Sequence, residues 1–183
     1  MVTAMSLPHA LLTALAEHPG SGSELASRFD RSIGHFWHAT HQQIYRELAR
    51  LEESGWVQSL PQASTRGRKR GYRILPAGRK ELRRWIAEQE DPKPHREALM
   101  VRLRAEAAIG PSGLQAEMRR RLKLHQEQLE MFLRIEAKDF AGRDPLRETL
   151  LRQLVLRAGI EQQALWVRLA EEALRVLALP PAK

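Results

Sequence analysis

Arg66, Arg68, Lys69 and Arg70 place four cations within five residues, and Gln42, Gln43 and Arg46 place two amides and a guanidinium within another five. Cations this dense can neutralise the phosphates of a nucleic acid or enter a minor groove, and such contacts weaken with salt because binding releases counterions. Amide and guanidinium groups can form the paired hydrogen bonds that read base edges in a major groove. Thr40 stands just ahead of them, and Thr40-x-x-Gln43 has the form of a capping box. Gln43 therefore has a role at a helix start, which leaves Gln42 and Arg46 as the better base readers. Tyr45, between them, offers either a hydroxyl for a phosphate or a ring for the core.

The charge is unevenly distributed. Of 30 basic and 22 acidic residues, nine basic and one acidic fall between Arg66 and Arg84, so this stretch carries a charge equal to the chain's whole excess of +8. A local polycation suits DNA, RNA or an acidic protein. Other chemistries lack their residues. The chain has no cysteine, so disulfides, thiolate metal sites and cysteine nucleophiles are excluded. No Gly-rich phosphate loop, Gly-x-Ser-x-Gly elbow, His-Glu-x-x-His or pair of catalytic carboxylates occurs, so an enzyme is not expected, and neither is a cofactor. His35, His38 and His41 recur at threes, but no carboxylate lies within the run, and a metal site is not expected there. No run of roughly 18 apolar residues lacks a charge, and residues at the N-terminus lack the basic-then-apolar pattern of a secretory signal, so neither a membrane span nor a leader is expected. These features predict a soluble, cytoplasmic protein.

The positioning elements follow from periodicity. Leu7, Leu11, Leu12 and Leu15 predict a first helix, with Pro8 in its first turn and His18-Pro19-Gly20 as its end. Ser21-x-x-Glu24 is a second capping box, opening a helix with Leu25, Ala26 and Phe29 inward. A loop through Gly34, Phe36 and Trp37 leads to the third helix, which starts near His41, buries Ile44, Leu48 and Leu51, and stops at Gly55. Residues 56–60 and 72–75 then read as two strands around an exposed loop, the plan of a wing. Pro76-Ala77-Gly78 opens a basic helix with Leu82, Trp85 and Ile86 inward and Arg79, Lys80, Arg83 and Arg84 in solvent. Asp91-Pro92-Lys93-Pro94 ends it and divides the chain into residues 1–90 and 91–183.

The second part is helical throughout, with breaks at Gly110-Pro111 and between Gly142 and Pro145. In its middle helix Leu114, Met118, Leu122, Leu129, Phe132 and Leu133 share a stripe with His125. In its last helix Leu151, Leu154, Ala158, Leu165, Leu169, Ala173 and Leu177 form a seam. Helices this long need a partner, either a second copy of the chain or each other. Trp166 lies on the last helix, where it fills a core or lines a pocket for a flat effector.

The order of three helices, two strands and a basic loop is that of a winged helix-turn-helix domain. The runs Phe36-Trp37, Gln43-Ile44-Tyr45, Leu48-Ala49-Arg50-Leu51-Glu52, Gly55-Trp56-Val57, Tyr72-Arg73-Ile74 and Pro76-Ala77-Gly78-Arg79 resemble the PadR-like transcriptional regulators in order and spacing. Three positions depart from that pattern. Arg46 stands where the family often has proline, Leu75 where it often has threonine, and Ser23 where it often has tyrosine. The resemblance implies a mainly α protein with a winged helix-turn-helix domain and a C-terminal helical dimerisation region. It also implies a homodimeric repressor of an inverted-repeat operator in double-stranded DNA, released by a small effector, with Tyr45 donating to a phosphate. On this reading Thr40, Gln42, Gln43, Tyr45 and Arg46, with Arg66, Arg68, Lys69 and Arg70, contact DNA. A basic module that binds protein or RNA and oligomerises through its C-terminal helices is the competing expectation.

Overall fold

The computed structural model describes residues 7–31, 39–60, 70–92, 94, 96–142 and 146–180, with side chains omitted at 29–31. Phe36, Trp37, His35 and His38, the wing cations Arg66, Arg68 and Lys69, and the side chain of Phe29 lie outside the described residues. The chain divides into two compact units, residues 1–92 and 93–183.

The N-terminal unit runs α1 (Leu7–Glu17), β1 (Gly20–Ser21), α2 (Gly22–Arg31), α3 (His41–Glu53), β2 (Val57–Leu60), β3 (Gly71–Ile74) and α4 (Pro76–Ile86). Leu11, Leu12, Leu15, Leu25, Ala26, Ile44, Leu48, Leu51, Val57 and Tyr72 form one buried cluster, so the inward faces expected of α1, α2 and α3 meet. Gly55, at φ 69°, makes the left-handed turn out of α3 that favours glycine. The sheet has three antiparallel strands in the order β1-β3-β2, one more than the two-stranded wing expected from sequence. Gly20 pairs with Tyr72 and Ser21 with Gly71. Ser21 also caps α2: its backbone N–H donates to Glu24 Oε2 at 2.7 Å while its Oγ accepts from the Glu24 N–H at 3.2 Å.

Helix α4 begins without a side-chain cap, as leucine at 75 requires. Its inward face differs from the expectation at one position. Ile86 is 69% exposed, whereas Leu82 and Trp85 are half-buried. The face is set by Gly78, whose missing Cβ lets the helix lie against the Trp56 carbonyl, and by His9 of α1. The His9 ring is buried and stacks on Trp85 with centroids 4.5 Å apart. Its Nε2 lies 3.2 Å from Glu81 Oε1, and its Nδ1 has no hydrogen-bond partner among the described residues.

Arg84 bonds both oxygens of Glu81, at 2.8 and 2.7 Å. Together with the His9 contact this holds the Glu81 carboxyl at about 2, although burial opposes it. A carboxylate depressed in the fold stabilises it fully above the ordinary value of 4.5 and loses that contribution as pH falls toward 2. Glu81→Gln is therefore expected to lower the melting temperature at pH 6 and to flatten its decline between 4.5 and 2. Thermal melts of both proteins across that range check this; parallel declines would rule it out.

The C-terminal unit comprises α5 (Ala98–Ile109), α6 (Leu114–Asp139) and α7 (Arg147–Leu177). Arg157 bonds Glu136 at 3.1 Å and His125 meets Gln163 at 2.7 Å, so α7 runs back along α6. Leu99, Leu114, Met118, Ala170 and Ala173 are buried at one end, and Phe132 and Leu156 are buried elsewhere in the unit. The expected α7 seam proves to be two faces. Leu156, Gly159, Ala170 and Ala173 are the buried positions of α7, whereas Leu151, Leu154 and Leu165 are 47%, 63% and 53% exposed and Ala158 is exposed too. Leu133, expected on the inward stripe of α6, is 47% exposed.

Candidate nucleic-acid interface

The interface begins with the cap of α3. Thr40 Oγ1 accepts from the Gln43 N–H at 3.2 Å, and Gln43 Oε1 accepts from the Thr40 N–H at 2.8 Å and from its hydroxyl at 3.2 Å. The side-chain oxygens of both residues are thus engaged in fixing the helix start. Gln42 and Arg46 are exposed, one turn apart, and opposite the buried Ile44, Leu48 and Leu51. Neither makes a side-chain hydrogen bond or ion pair among the described residues. On the same helix Arg50 is tied to Glu47 at 3.1 Å.

Glu52 joins this helix to the wing, its Oε1 accepting from the Ser59 N–H at 2.8 Å. Hydrogen bonds from the Ser59 side chain and backbone, and then the charge of Arg70, hold the Glu52 carboxyl below its ordinary range. Burial, and then the charge of Glu52, pushes the Tyr72 phenol up, with Arg70 opposing and Tyr45 adding to the rise. Arg70, Glu52 and Tyr45 therefore lie near Tyr72 at the base of the wing. Tyr45 is 47% exposed and its ring covers Gly22 at the start of α2. Thr40, Gln42, Gln43, Tyr45 and Arg46 are all carried by α3 and its cap; Arg70 is the one wing cation of the expected set among the described residues.

Two of the other cations in the basic stretch have partners. Arg73 donates twice to Gln58 Oε1 across the sheet, at 3.1 and 2.7 Å, and Arg84 is held by Glu81 and Glu88. Arg79, Lys80 and Arg83 are exposed on α4. The Ser59–Glu52 tie and the cover over Gly22 were not read from sequence. A glutamate ending a helix is an ambiguous signal, and a glycine after a capping serine carries none.

In the other unit, Trp166 is half-buried and stacks on His125 at 5.8 Å, with ring planes 15° apart. It packs against the buried cluster of this unit, and His125 also meets Gln163. His41 is exposed, and no cluster of three potential metal ligands lies among the described residues. No described helix is long and apolar enough to cross a membrane.

Residues 11–84 match the family model described as Transcriptional regulator PadR-like family, and residues 95–178 match the one described as Virulence activator alpha C-term. A probable transcriptional regulator of Mycobacterium tuberculosis is 40% identical over 187 residues, spanning 93% of this chain and 98% of the relative. The solved structure of the Vibrio cholerae virulence activator AphA is similar with a TM-score of 0.78 at 28% identity, over 94% of this chain and 98% of that one. The Bacillus subtilis negative transcriptional regulator PadR is 32% identical over 98 residues, 52% of this chain and 54% of that one. Its structure in complex with operator DNA is similar with a TM-score of 0.81 at 24% identity, over 94% and 98% of the two chains.

Proposed function

The chain belongs to the PadR-like family of transcriptional regulators, and from that premise we propose that it is a homodimeric repressor that binds an inverted-repeat operator and is released by a small effector. Residues 1–90 grip and read the DNA, and residues 91–183 pair the subunits. The protein works in the cytoplasm.

The observation that carries the reading is the outward face of α3. Gln42 and Arg46 stand exposed there with no side-chain hydrogen bond or ion pair among the described residues, on a helix fixed at its start by the Thr40–Gln43 box and from behind by three buried side chains. Such a surface suits a major groove. Tyr45 and Arg70 beside it suit phosphates, and so do Arg66, Arg68 and Lys69 of the wing.

The test begins by selecting bound duplexes from a random library at near-physiological salt, which reveals dyad symmetry and half-site spacing. On the selected duplex, Gln42→Ala or Arg46→Ala is expected to cost about 1–3 kcal/mol, more than on random DNA. Equal losses on both would make these residues phosphate contacts. Arg68→Ala with Arg70→Ala should weaken binding to every sequence and flatten its salt dependence. A duplex that loses in competition with single-stranded RNA would favour the RNA-binding alternative.

A second reading concerns the sign of regulation. The match of residues 95–178 to an activator's C-terminal family favours activation, whereas the negative regulator of Bacillus subtilis favours repression. Transcription from an operator-bearing promoter, with and without the protein, decides between them. For the effector, Trp166 is the candidate contact. Quenching of tryptophan emission by a ligand, lost in Trp166→Leu, supports that role.

A further inference from the structure

Gly22 is buried, although it has no side chain to bury. Tyr45 covers it. The three heavy atoms nearest to the place a Cβ would occupy all belong to that ring, with Cε1 inside van der Waals contact and Cδ1 and Cζ at 3.0 Å. No backbone requirement explains the glycine: its φ is not positive, and it opens an ordinary helix. Glycine within a helix costs up to about 1 kcal/mol relative to alanine. The ring above it is what an alanine Cβ would meet first.

Tyr45 is not part of the buried cluster that holds α1, α2 and α3 together, and it is 47% exposed. An exposed tyrosine would ordinarily sample several rotamers. Here the seat on Gly22 fixes it where three elements converge. Ser21, beside Gly22, pairs with Gly71 at the start of β3, and Glu52 of α3 holds the Ser59 N–H of β2. The ring also lies near enough to Tyr72 to influence its ionisation, alongside Glu52 and Arg70.

We propose that Gly22 is a positioning residue for DNA binding: its missing Cβ seats the Tyr45 ring on the start of α2 and so holds the Tyr45 hydroxyl ready for a backbone phosphate. The proposal rests on the reading of Tyr45 as a phosphate contact. Gly22 touches no DNA itself; it acts through the tyrosine. A Cβ at position 22 displaces the ring, and because the ring is half in water it swings outward at little cost to the fold.

The experiment uses the full chain and a duplex it selects from a random library. Gly22→Ala is expected to leave the melting temperature unchanged or raised while weakening binding about tenfold for each half-site occupied, the value of one hydrogen bond to a charged oxygen. Tyr45→Phe should lose the same amount, and the double variant should bind no worse than either single one. In a Tyr45→Ala background, Gly22→Ala should leave affinity unchanged and the melting temperature unchanged or raised, because the obstructing ring is gone. No loss in Tyr45→Phe would sink the phosphate reading, and this proposal with it. A loss in Tyr45→Phe with wild-type binding by Gly22→Ala, or with additive losses in the double variant, would overturn the positioning role alone. So would a loss of stability or affinity caused by Gly22→Ala in the Tyr45→Ala background.

Discussion

Truncating Leu48 to alanine is expected to cost the N-terminal unit about 2–5 kcal/mol and to abolish operator binding at temperatures where the unaltered chain still binds. Leu48 is fully buried with Ile44 and Leu51, its neighbours on the inner face of α3, in the cluster shared with α1, α2 and the sheet. The same face orients the helix so that Gln42 and Arg46 point to solvent. Removing three carbons leaves a void between elements that converge from several sides, which limits how far the site can collapse. A loss of about 2–5 kcal/mol is a large share of the 5–15 kcal/mol that holds a typical domain together. In a unit of about 90 residues each kcal/mol moves the midpoint by roughly 4–8 °C. Calorimetry on Leu48→Ala should show this shift, and cooling should recover binding. Ile86→Ala is the control: at 69% exposure it should stay within about 0.5 kcal/mol of the parent. Equal effects from the two substitutions would mean that apolar residue type, rather than burial, governs stability here.

Leu48 and Ile86 also mark what the sequence reveals. The inner face of α3 is legible because a period of three and four, bounded by a capping box and a left-handed glycine, is local information. Ile86 satisfied the same periodicity, yet α4 turns it to solvent. That face is chosen by nonlocal contacts: Gly78 on the Trp56 carbonyl, and His9 between Trp85 and Glu81, 72 residues away in sequence. Strand β1 was hidden for a related reason. Two residues carry no alternation, and Ser21 already had a role as a cap, so only its register with Gly71 reveals the strand. At the interface, the division between Gln43 as cap and Gln42 and Arg46 as readers could be argued from spacing. The seat of Tyr45 on Gly22 could not, because nothing in a glycine's neighbours along the chain shows what lies above it.

In α7 the single seam that the sequence pattern suggests resolves into two faces, and this leads to the second large effect. Leu156, Gly159, Ala170 and Ala173 are buried within the unit, so Leu150, Leu151, Leu154, Val155 and Leu165 form a separate apolar stripe, 47–63% exposed. A stripe of this kind along a helix of 31 residues suits a second copy of the chain, since soluble monomers rarely leave contiguous apolar patches of such extent in water. Leu154→Glu places a charge in the middle of that stripe without touching the buried face. The helical content should therefore remain, while the mass in sedimentation equilibrium falls from twice 21.0 kDa to that value. The effect on DNA should be larger than that of any single contact. Two linked half-site contacts exceed either alone by about 10²- to 10⁴-fold, and a monomer forfeits that gain. Binding to an isolated half-site should change little, because α3 and the wing are intact. A variant that remains dimeric, or an unaltered chain that is already monomeric at the concentrations where it binds its full operator, would show that α7's outer face does not pair the subunits.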